Sequence, residues 1–274
     1  MRSKFIFFGT PYVASDTLLK LLENGWRPEV VVTNPDAPRG RKRIMTASET
    51  KVIAEENGIP VLTPERLDSE FVEGLKKYEC DFALVVAYGK ILPKELIDTF
   101  PKGVLNVHYS LLPKYRGASP VEAALLNGDK ETGVTIQKMV YELDAGDIIA
   151  SKIEAIKPDD TTVTLRERLI NEGANLLVET LPKYLSGEIE PVLQNEAEAT
   201  YAPKIKKENG EINPDGDSLT NWNKYRAYKA WPGVFFFKNG KRVKVTKAAL
   251  DESGHFKILR VVQEGKKESD FSSL

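Results

Sequence analysis

The chain has few of the residues that form disulfides, metal sites and membrane spans. Its 274 residues include one cysteine, Cys80, and two histidines, His108 and His255. A single cysteine cannot form an intrachain disulfide, and one cysteine with two histidines is too few for a zinc-type cluster. No apolar run approaches the ~18 residues of a membrane span. We therefore expect a cytoplasmic chain with no metal and no membrane contact.

Net charge is also nearly absent, although the charges are unevenly distributed. The 39 basic and 40 acidic residues give a formal net charge of −1. Residues 1–203 have a net charge of −7, and residues 204–274 have a net charge of +6. A basic C-terminal part on an acidic body is common in enzymes that contact phosphates. A solvated, lysine-rich surface is the alternative, and charge alone does not decide between them.

Motifs for nucleotide binding and for nucleophilic catalysis are missing. The sequence has no G-x-G-x-x-G, and its nearest match to a phosphate-binding loop, residues 128–135, lacks the lysine that would contact phosphate. It has no G-x-S-x-G elbow. Cys80 lies beside a predicted strand at residues 82–87, where a structural cysteine is expected rather than a nucleophile. Dinucleotide or ATP binding and cysteine catalysis are therefore disfavoured.

Apolar strands and amphipathic helices alternate along most of the chain. Strands are predicted at residues 4–8, 29–33, 60–62, 82–87, 104–107, 132–139 and 147–156. Helices are predicted at residues 12–24, 48–57, 69–78, 93–99 and 161–185. This alternation predicts an α/β fold with a doubly wound, mainly parallel sheet. Residues 34–46, which include two prolines and a glycine, are predicted to be a polar loop.

The C-terminal part is predicted to be a smaller, separate domain. Its predicted strands surround Asn-Gly and Ser-Gly turns, and they lie at residues 234–237, 243–246 and 256–262. A polar, proline-containing segment precedes it. We therefore expect a catalytic domain at residues 1–186, a linker at residues 187–203 and a small all-β domain at residues 204–274.

A polar pair occupies the end of the strand predicted at residues 104–107. Asn106 and His108 are two residues apart, so their side chains lie on the same face, at the end where open α/β sheets bind ligands. An amide beside an imidazole suits a reaction in which a carbonyl carbon becomes tetrahedral, because both can stabilise an oxyanion and the imidazole can carry a proton. Asp144 is placed to orient the imidazole, whereas Asp147 is expected to be a turn or cap residue.

Several longer motifs resemble the folate-dependent formyltransferases. The matching pieces follow the family's order and are FFGTP at residues 7–11, NVHYSLLPKYRGASP at 106–120, TGVTIQKM at 132–139, LDAGD at 143–147 and YAPKI at 201–205. The last piece, together with residues 226–233, is similar to the methionyl-tRNA branch of that family.

The resemblance implies transfer of a formyl group from 10-formyltetrahydrofolate to the α-amine of methionine on initiator tRNA. Asn106, His108 and Asp144 match the family's catalytic trio. The implied folate contacts are Tyr88, Gly89, Ile91, Leu92, Ser110, Leu111, Leu112 and Pro113. The implied contacts to the tRNA acceptor stem are Arg39, Arg41, Lys42 and Arg43.

The resemblance also implies a C-terminal barrel of the oligonucleotide-binding (OB) type. Residues 204–274 are fewer than the family's barrel contains, and the missing part lies between Val245 and Phe256. We therefore expect an OB-like domain that is shortened and open, with a small core that depends on the catalytic domain for stability. We expect the enzyme to be a monomer.

Three alternatives differ in substrate or in class. A formyltransferase that acts on a nucleotide-linked amino sugar would share the trio and the folate pocket, but it would not need the basic loop or the basic C-terminal part. A folate- or tRNA-binding protein without turnover would not need the aligned trio. A glycinamide-ribotide formyltransferase would be a smaller, single-domain chain.

Overall fold

A computed structural model describes residues 3–40 and 42–274 of the chain. The strands are β1 (Phe5–Gly9), β2 (Val30–Val32), β3 (Ala37–Arg39), β4 (Ile44–Thr46), β5 (Val61–Leu62), β6 (Phe82–Val86), β7 (Val104–His108), β8 (Glu131–Lys138), β9 (Asp147–Ala155), β10 (Val234–Lys238), β11 (Lys241–Leu250), β12 (Phe256–Gln263) and β13 (Glu268–Asp270). The helices are α1 (Tyr12–Glu23), α2 (Glu49–Glu56), α3 (Ser69–Leu75), α4 (Lys94–Ile97), α5 (Pro120–Asn127), α6 (Thr162–Ser186) and α7 (Ser218–Ala227). Among the described residues, no helix is long and apolar enough to cross a membrane.

The chain folds into two compact units. Unit 1 comprises the described parts of Met1–Arg116, Gly133–Ile153 and Leu169–Ala199. Unit 2 comprises Gly117–Thr132, Glu154–Arg168 and Thr200–Leu274. Unit 2 thus combines the C-terminal residues with two segments from earlier in the chain. The division into a catalytic domain, a linker and a C-terminal domain at residues 186 and 203 stays a prediction.

The largest sheet is doubly wound, as the sequence pattern predicts. Its strand order is β5-β2-β1-β6-β7-β8-β9. β1 pairs parallel with both β2 and β6, β2 pairs parallel with β5, and β6 pairs parallel with β7. The chain therefore builds outward on one side of β1 and then on the other, which places a topological switch point between β1 and β6. Within this sheet, β7 and β8 pair antiparallel.

The central strands are buried on both faces, which explains their continuous apolar sequences. Every residue of β1 (FIFFG) and of β6 (FALVV) is buried. Such runs are typical of parallel strands that are covered by helices on both sides. Phe5 of β1 stacks on Phe82 of β6 with ring centroids 5.1 Å apart.

The predicted polar loop at residues 34–46 contains a β-hairpin instead. β3 and β4 pair antiparallel, with Pro38 opposite Met45 and Arg39 opposite Ile44. A proline is tolerated here because a two-stranded ribbon has unpaired outer edges. All six residues of the two strands are exposed, so the sequence lacks the burial alternation from which strands are usually recognised.

Part of the predicted linker is bound to unit 1. Val192 pairs antiparallel with Ile148 of β9, and each of the two N–H groups donates to the other residue's carbonyl at 2.8 Å. Gln194 also contributes side-chain hydrogen bonds to this unit, which are described with the site. Polar composition suggested a free connection, but the backbone and amide groups of these residues have partners in the fold.

Unit 2 contains an open antiparallel sheet of consecutive strands. The strand order is β10-β11-β12-β13. Among the described residues, β10 and β13 do not pair with each other. β11 extends to Leu250, beyond the predicted end at residue 246, and a tight turn ending at Gly254 leads into β12. This sheet agrees with the expected OB-like all-β domain, and the position of the missing part between Val245 and Phe256 stays a prediction.

Two helices of unit 2 were not predicted. α5 and α7 pack against each other, and Asn223 of α7 donates a 3.5 Å hydrogen bond to the carbonyl of Leu126. The sequence of α7, SLTNWNKYRA, has no apolar stripe because it buries polar residues such as Asn221 and Asn223. The sequence feature that marks the start of α7 is its N-cap residue, Asp217. The Asp217 carboxylate accepts a 2.7 Å hydrogen bond from the Thr220 N–H.

Candidate active site

Polar residues follow the strands at the switch point of the sheet. β1, β6 and β7 run parallel, so their C-terminal ends meet at one edge, where open α/β sheets bind ligands. Thr10, directly after β1, donates a 3.0 Å hydrogen bond from its hydroxyl to the carbonyl of Tyr88, which follows β6. The Asn34 amide donates to the same carbonyl at 3.0 Å. Hydrogen bonds therefore connect the segments that follow the strands at this edge of the sheet.

The register of β7 and β8 brings four polar side chains to one face. Asn106 lies opposite Gln137, and His108 lies opposite Thr135. Residues that face each other in an antiparallel pair share a face of the sheet, and so do residues two apart on one strand. The Asn106 side chain is partly exposed and has no hydrogen-bond partner among the described residues. Its amide is thus available to a bound ligand.

His108 lies between two oxygen atoms. Its Nε2 is 3.0 Å from the carbonyl oxygen of Tyr115, a distance at which the ring N–H donates to the carbonyl. Its Nδ1 is 3.6 Å from Oδ2 of Asp144, and both side chains are largely buried. This second separation is longer than a hydrogen bond. The imidazole is therefore held on one side and faces a carboxylate on the other.

Asp144 is fixed by its side chain and by its backbone. The Gln137 amide donates a 2.8 Å hydrogen bond to Oδ1 of Asp144, which leaves Oδ2 toward His108. Asp144 has a φ of +49° and Tyr115 a φ of +62°. This left-handed conformation costs a residue with a Cβ roughly 1–2 kcal/mol, so surrounding contacts must stabilise it at both positions.

The turn after Asp144 requires a glycine. A Cβ on Gly146 would lie 1.9 Å from the carbonyl oxygen of Lys138, at the end of β8. The Gly146 carbonyl accepts a 2.6 Å hydrogen bond from the Gln194 amide. The turn therefore packs directly on the strand that holds Gln137.

The segment after His108 is tied to β8. The Thr135 hydroxyl donates to the carbonyl of Ser110 at 2.7 Å and accepts from the N–H of Leu112 at 3.1 Å. The Ser110 hydroxyl in turn donates to the carbonyl of Lys114 at 2.6 Å, and the bond between Leu112 and Pro113 is cis. Ser110 and Leu112 are buried, whereas Leu111 and Pro113 are partly exposed. The predicted folate-contacting segment is thus placed beside the imidazole.

The second predicted folate segment, residues 88–92, divides its side chains between the core and the surface. Tyr88 is buried in the core, with its ring 5.4 Å from that of Phe8, and Leu92 is buried in the same cluster. Burial raises the pKa of Tyr88 to about 12. Both side chains pack inward because they cover the apolar face of the sheet, so neither lines a surface pocket. Gly89, at a φ of +84°, and the exposed Ile91 are the members of this segment that remain open to a ligand.

Comparison with known proteins decides the family. The sequence profile described as Formyl transferase matches residues 1–181 of the chain. The chain belongs to the formyl transferase family. The profile of the Formyl transferase C-terminal domain matches residues 204–271.

Similar relatives of this formyl transferase are methionyl-tRNA formyltransferases. One from Thermodesulfovibrio yellowstonii is 43% identical over 253 residues, which cover 92% of this chain and 82% of that protein. One from Bacillus velezensis is 43% identical over 270 residues, which cover 96% of this chain and 84% of that protein.

Solved structures share the fold of this formyl transferase. An N-formyltransferase from Helicobacter canadensis has a TM-score of 0.71 at 23% identity, covering 91% of this chain and 88% of that one. A methionyl-tRNA formyltransferase from Clostridium thermocellum has a TM-score of 0.63 at 18% identity, covering 98% of this chain and 100% of that one.

Three of the four basic residues predicted to contact tRNA lie in the described part of the hairpin of β3 and β4. Arg39 forms an ion pair with Glu49 of α2, and this contact raises the pKa of Arg39 and lowers the pKa of Glu49. Lys42 and Arg43 are exposed at the hairpin turn, where Arg43 has a φ of +50°. Arg41 lies outside the described residues. The hairpin thus presents Lys42 and Arg43 to solvent, while Arg39 is partly neutralised.

Several residues that shape this formyl transferase site were not predicted. Thr135 and Gln137 alternate with the apolar Val134 and Ile136 within β8. This period of two is a signal that could have placed them beside Asn106 and His108. Gln194 lies in a polar segment without periodicity, and nothing in its local sequence indicates its contact with the turn at Asp144.

Proposed function

We propose that the protein transfers the formyl group of 10-formyltetrahydrofolate to the α-amine of methionine on initiator tRNA. The observation that carries this proposal is the contact between His108 and Asp144, 3.6 Å apart, on the face of β7 that also presents Asn106. Relatives named for this activity are 43% identical over more than nine tenths of the chain.

The proposed chemistry begins with attack of the neutral amine on the formyl carbon. The carbonyl electron pair moves to oxygen, where the Asn106 amide donates to the oxyanion. His108 adds a second donor from Nδ1–H in its imidazolium form, because its Nε2–H is donated to the Tyr115 carbonyl. The Asp144 carboxylate accepts the amine proton through a water molecule. When the oxyanion collapses, the bond between the carbon and the folate nitrogen breaks. That nitrogen takes the proton that Asp144 accepted from the amine, and tetrahydrofolate leaves.

The folate is proposed to bind at the switch-point edge of the sheet. Leu111 and Pro113 offer partly exposed apolar surface beside His108, and Gly89 and Ile91 are open on the neighbouring segment. Backbone N–H and C=O groups of these segments suit the polar edge of a flat heterocycle. Tyr88 and Leu92 contribute by fixing the backbone, since their side chains are in the core.

The tRNA is proposed to contact the exposed cations of the hairpin and the basic C-terminal part. Lys42 and Arg43 point to solvent, and residues 204–274 have a net charge of +6. Lysine and arginine that neutralise phosphates release counterions, which gives salt-dependent affinity. An amino-sugar nucleotide would need neither feature. Cytoplasmic location and a monomeric state stay predictions.

A parallel acceptor assay tests the proposal. Purified protein is incubated with 10-formyltetrahydrofolate and, in separate reactions, methionyl initiator tRNA, the uncharged tRNA and a 4-amino sugar nucleotide. Formylation of the charged tRNA alone is the expected result. Formylation of the sugar and not of the tRNA would replace this proposal with the amino-sugar alternative, and no transfer to any acceptor would leave a binding protein.

A further inference from the structure

We propose that Gln194 and Arg116 form a clamp that positions His108 and Asp144 for the reaction. Neither residue faces the reacting groups in the proposed function, on which this inference rests. Both belong to unit 1, and Gln194 comes from the segment that was expected to be a linker. We assign them as positioning residues.

The Gln194 amide joins two parts of the site. Its Nε2 donates to the carbonyl of Asp144 at 2.8 Å and to the carbonyl of Gly146 at 2.6 Å. Its Oε1 accepts from Nε of Arg116 at 3.0 Å and from Nη2 at 2.7 Å. A primary amide has two donor hydrogens and two acceptor lone pairs, so this side chain uses its full capacity.

Arg116 extends the clamp to the other side of the imidazole. It directly follows Tyr115, whose carbonyl accepts from Nε2 of His108. Its side chain is 1% exposed, and its guanidinium also donates to the Glu196 carboxylate at 2.9 and 2.6 Å. Its planar fork bonds two groups at fixed angles, which a lysine cannot do.

The hydrogen bonds, the peptide link from Tyr115 to Arg116 and the 3.6 Å approach of Asp144 to His108 together form a closed circuit around the imidazole. Tyr115 holds Nε2, Arg116 continues from Tyr115, and Gln194 connects Arg116 to the backbone of Asp144, which faces Nδ1. The backbones of Tyr115 and Asp144 both adopt the left-handed conformation, which is strained for a residue with a Cβ. Such conformations persist only where neighbouring contacts fix them. The clamp supplies such a contact to Asp144 directly through Gln194, and it acts on Tyr115 through the fixed side chain of the next residue, Arg116.

The chemistry of the clamp requires a donor as well as an acceptor at residue 194. A carboxylate there would keep both bonds from Arg116, but it would place negative charge against the carbonyls of Asp144 and Gly146. Gln194→Glu is therefore expected to release the turn at Asp144 while Arg116 stays paired. Gln194→Ala removes all four bonds and serves as the second variant.

The kinetic test measures kcat and KM for formylation of methionyl initiator tRNA. For Gln194→Glu we expect kcat to fall by about 10²-fold, the typical effect of a 1 Å misplacement, with KM values within about threefold of the wild type. Gln194→Ala should be impaired to a similar degree. Asn195→Asp, the same amide-to-carboxylate change at the exposed neighbouring residue, should match the wild type.

A second readout does not depend on turnover. The chain has only two histidines, so the ring resonances of His108 and His255 can be separated by NMR of the histidine-labelled protein. In Gln194→Glu the His108 signals are expected to shift. His255, which is exposed in unit 2, reports on the global fold and should not change.

The outcomes separate the clamp from the proposed function. If the wild type formylates the tRNA but Gln194→Glu keeps its kcat and its His108 signals, the clamp is refuted while the function stands. Wild-type kcat in Gln194→Glu with loss only in Gln194→Ala would limit the residue to accepting hydrogen bonds from Arg116 and would also overturn the clamp. If Gln194→Glu does not fold, the kcat and His108 signals of Gln194→Ala decide by the same criteria.

Discussion

Replacing Gly146 by alanine should displace the turn that holds Asp144. The added Cβ would lie 1.9 Å from the Lys138 carbonyl oxygen, and Cβ contacts shorter than 3.0 Å are essentially never tolerated. The backbone of the turn must therefore move by about 1 Å, since the facing atom belongs to the backbone of β8 and cannot rotate away. Asp144 is two residues from this point and is 3.6 Å from His108.

The structure gives an expected magnitude for Gly146→Ala. A misplacement of about 1 Å at a reacting group lowers the rate by about 10²-fold, which corresponds to about 2.7 kcal/mol of barrier. Overpacking of a tight site also lowers the free energy of unfolding by about 1–3 kcal/mol. We therefore expect a folded but less stable enzyme with a strongly reduced kcat.

The matched control is Gly74→Ala in α3. No atom lies within 4 Å of a Cβ at Gly74, and the residue has a helical environment. This variant should keep its kcat and gain roughly 0.5–1 kcal/mol of stability, because alanine is the better helix former. Steady-state formylation and thermal unfolding are measured for both variants. A Gly146→Ala enzyme with wild-type kcat per folded molecule would refute the reasoning.

Three further predictions follow from other parts of the molecule. Neutralising Lys42 and Arg43 should raise the KM for tRNA. It should also flatten the salt dependence of tRNA binding by roughly 0.7–0.9 in log–log slope per lost phosphate contact. Arg39→Gln should have a smaller effect, and equal effects of the two changes would contradict the ion-pair argument. A fragment of residues 204–274 should show no cooperative unfolding transition, because it lacks the α5 segment that packs on α7; a sharp transition by circular dichroism would disprove this. The ion pair with Arg168 lowers the pKa of Asp160. Asp160 therefore stabilises the fold above pH ~4 and loses this effect as the pH falls through its lowered native pKa. The decrease in Tm caused by Asp160→Asn should become smaller in acid, and a pH-independent decrease would argue against the pair.

The sequence predicted best the parts whose signals are local. The buried parallel strands were found because they are continuous apolar runs, and Asn106 and His108 were found because alternation along β7 puts them on one face. The structure places Asp144 3.6 Å from His108, and the orientation of the imidazole by this carboxylate stays a prediction.

The remaining features depend on tertiary contacts. α7 buries polar residues, and the hairpin of β3 and β4 is exposed on both strands, so neither shows the usual periodicity. The Tyr88 side chain packs in the core, and the role of its segment in walling the folate pocket stays a prediction. Gln194 reaches the turn at Asp144 from 50 residues away, and its amide could not be assigned before the fold was known.

The central claim is that Asn106, His108 and Asp144 act together on the formyl group. The most direct measurement is kcat for formylation of methionyl initiator tRNA by the three single alanine variants, with tetrahydrofolate binding measured by calorimetry on the same samples. We expect kcat to fall by ~10²–10³-fold in each variant, because each residue acts mainly on the transition state, while folate affinity changes little. Turnover close to the wild type in all three variants would contradict the claim.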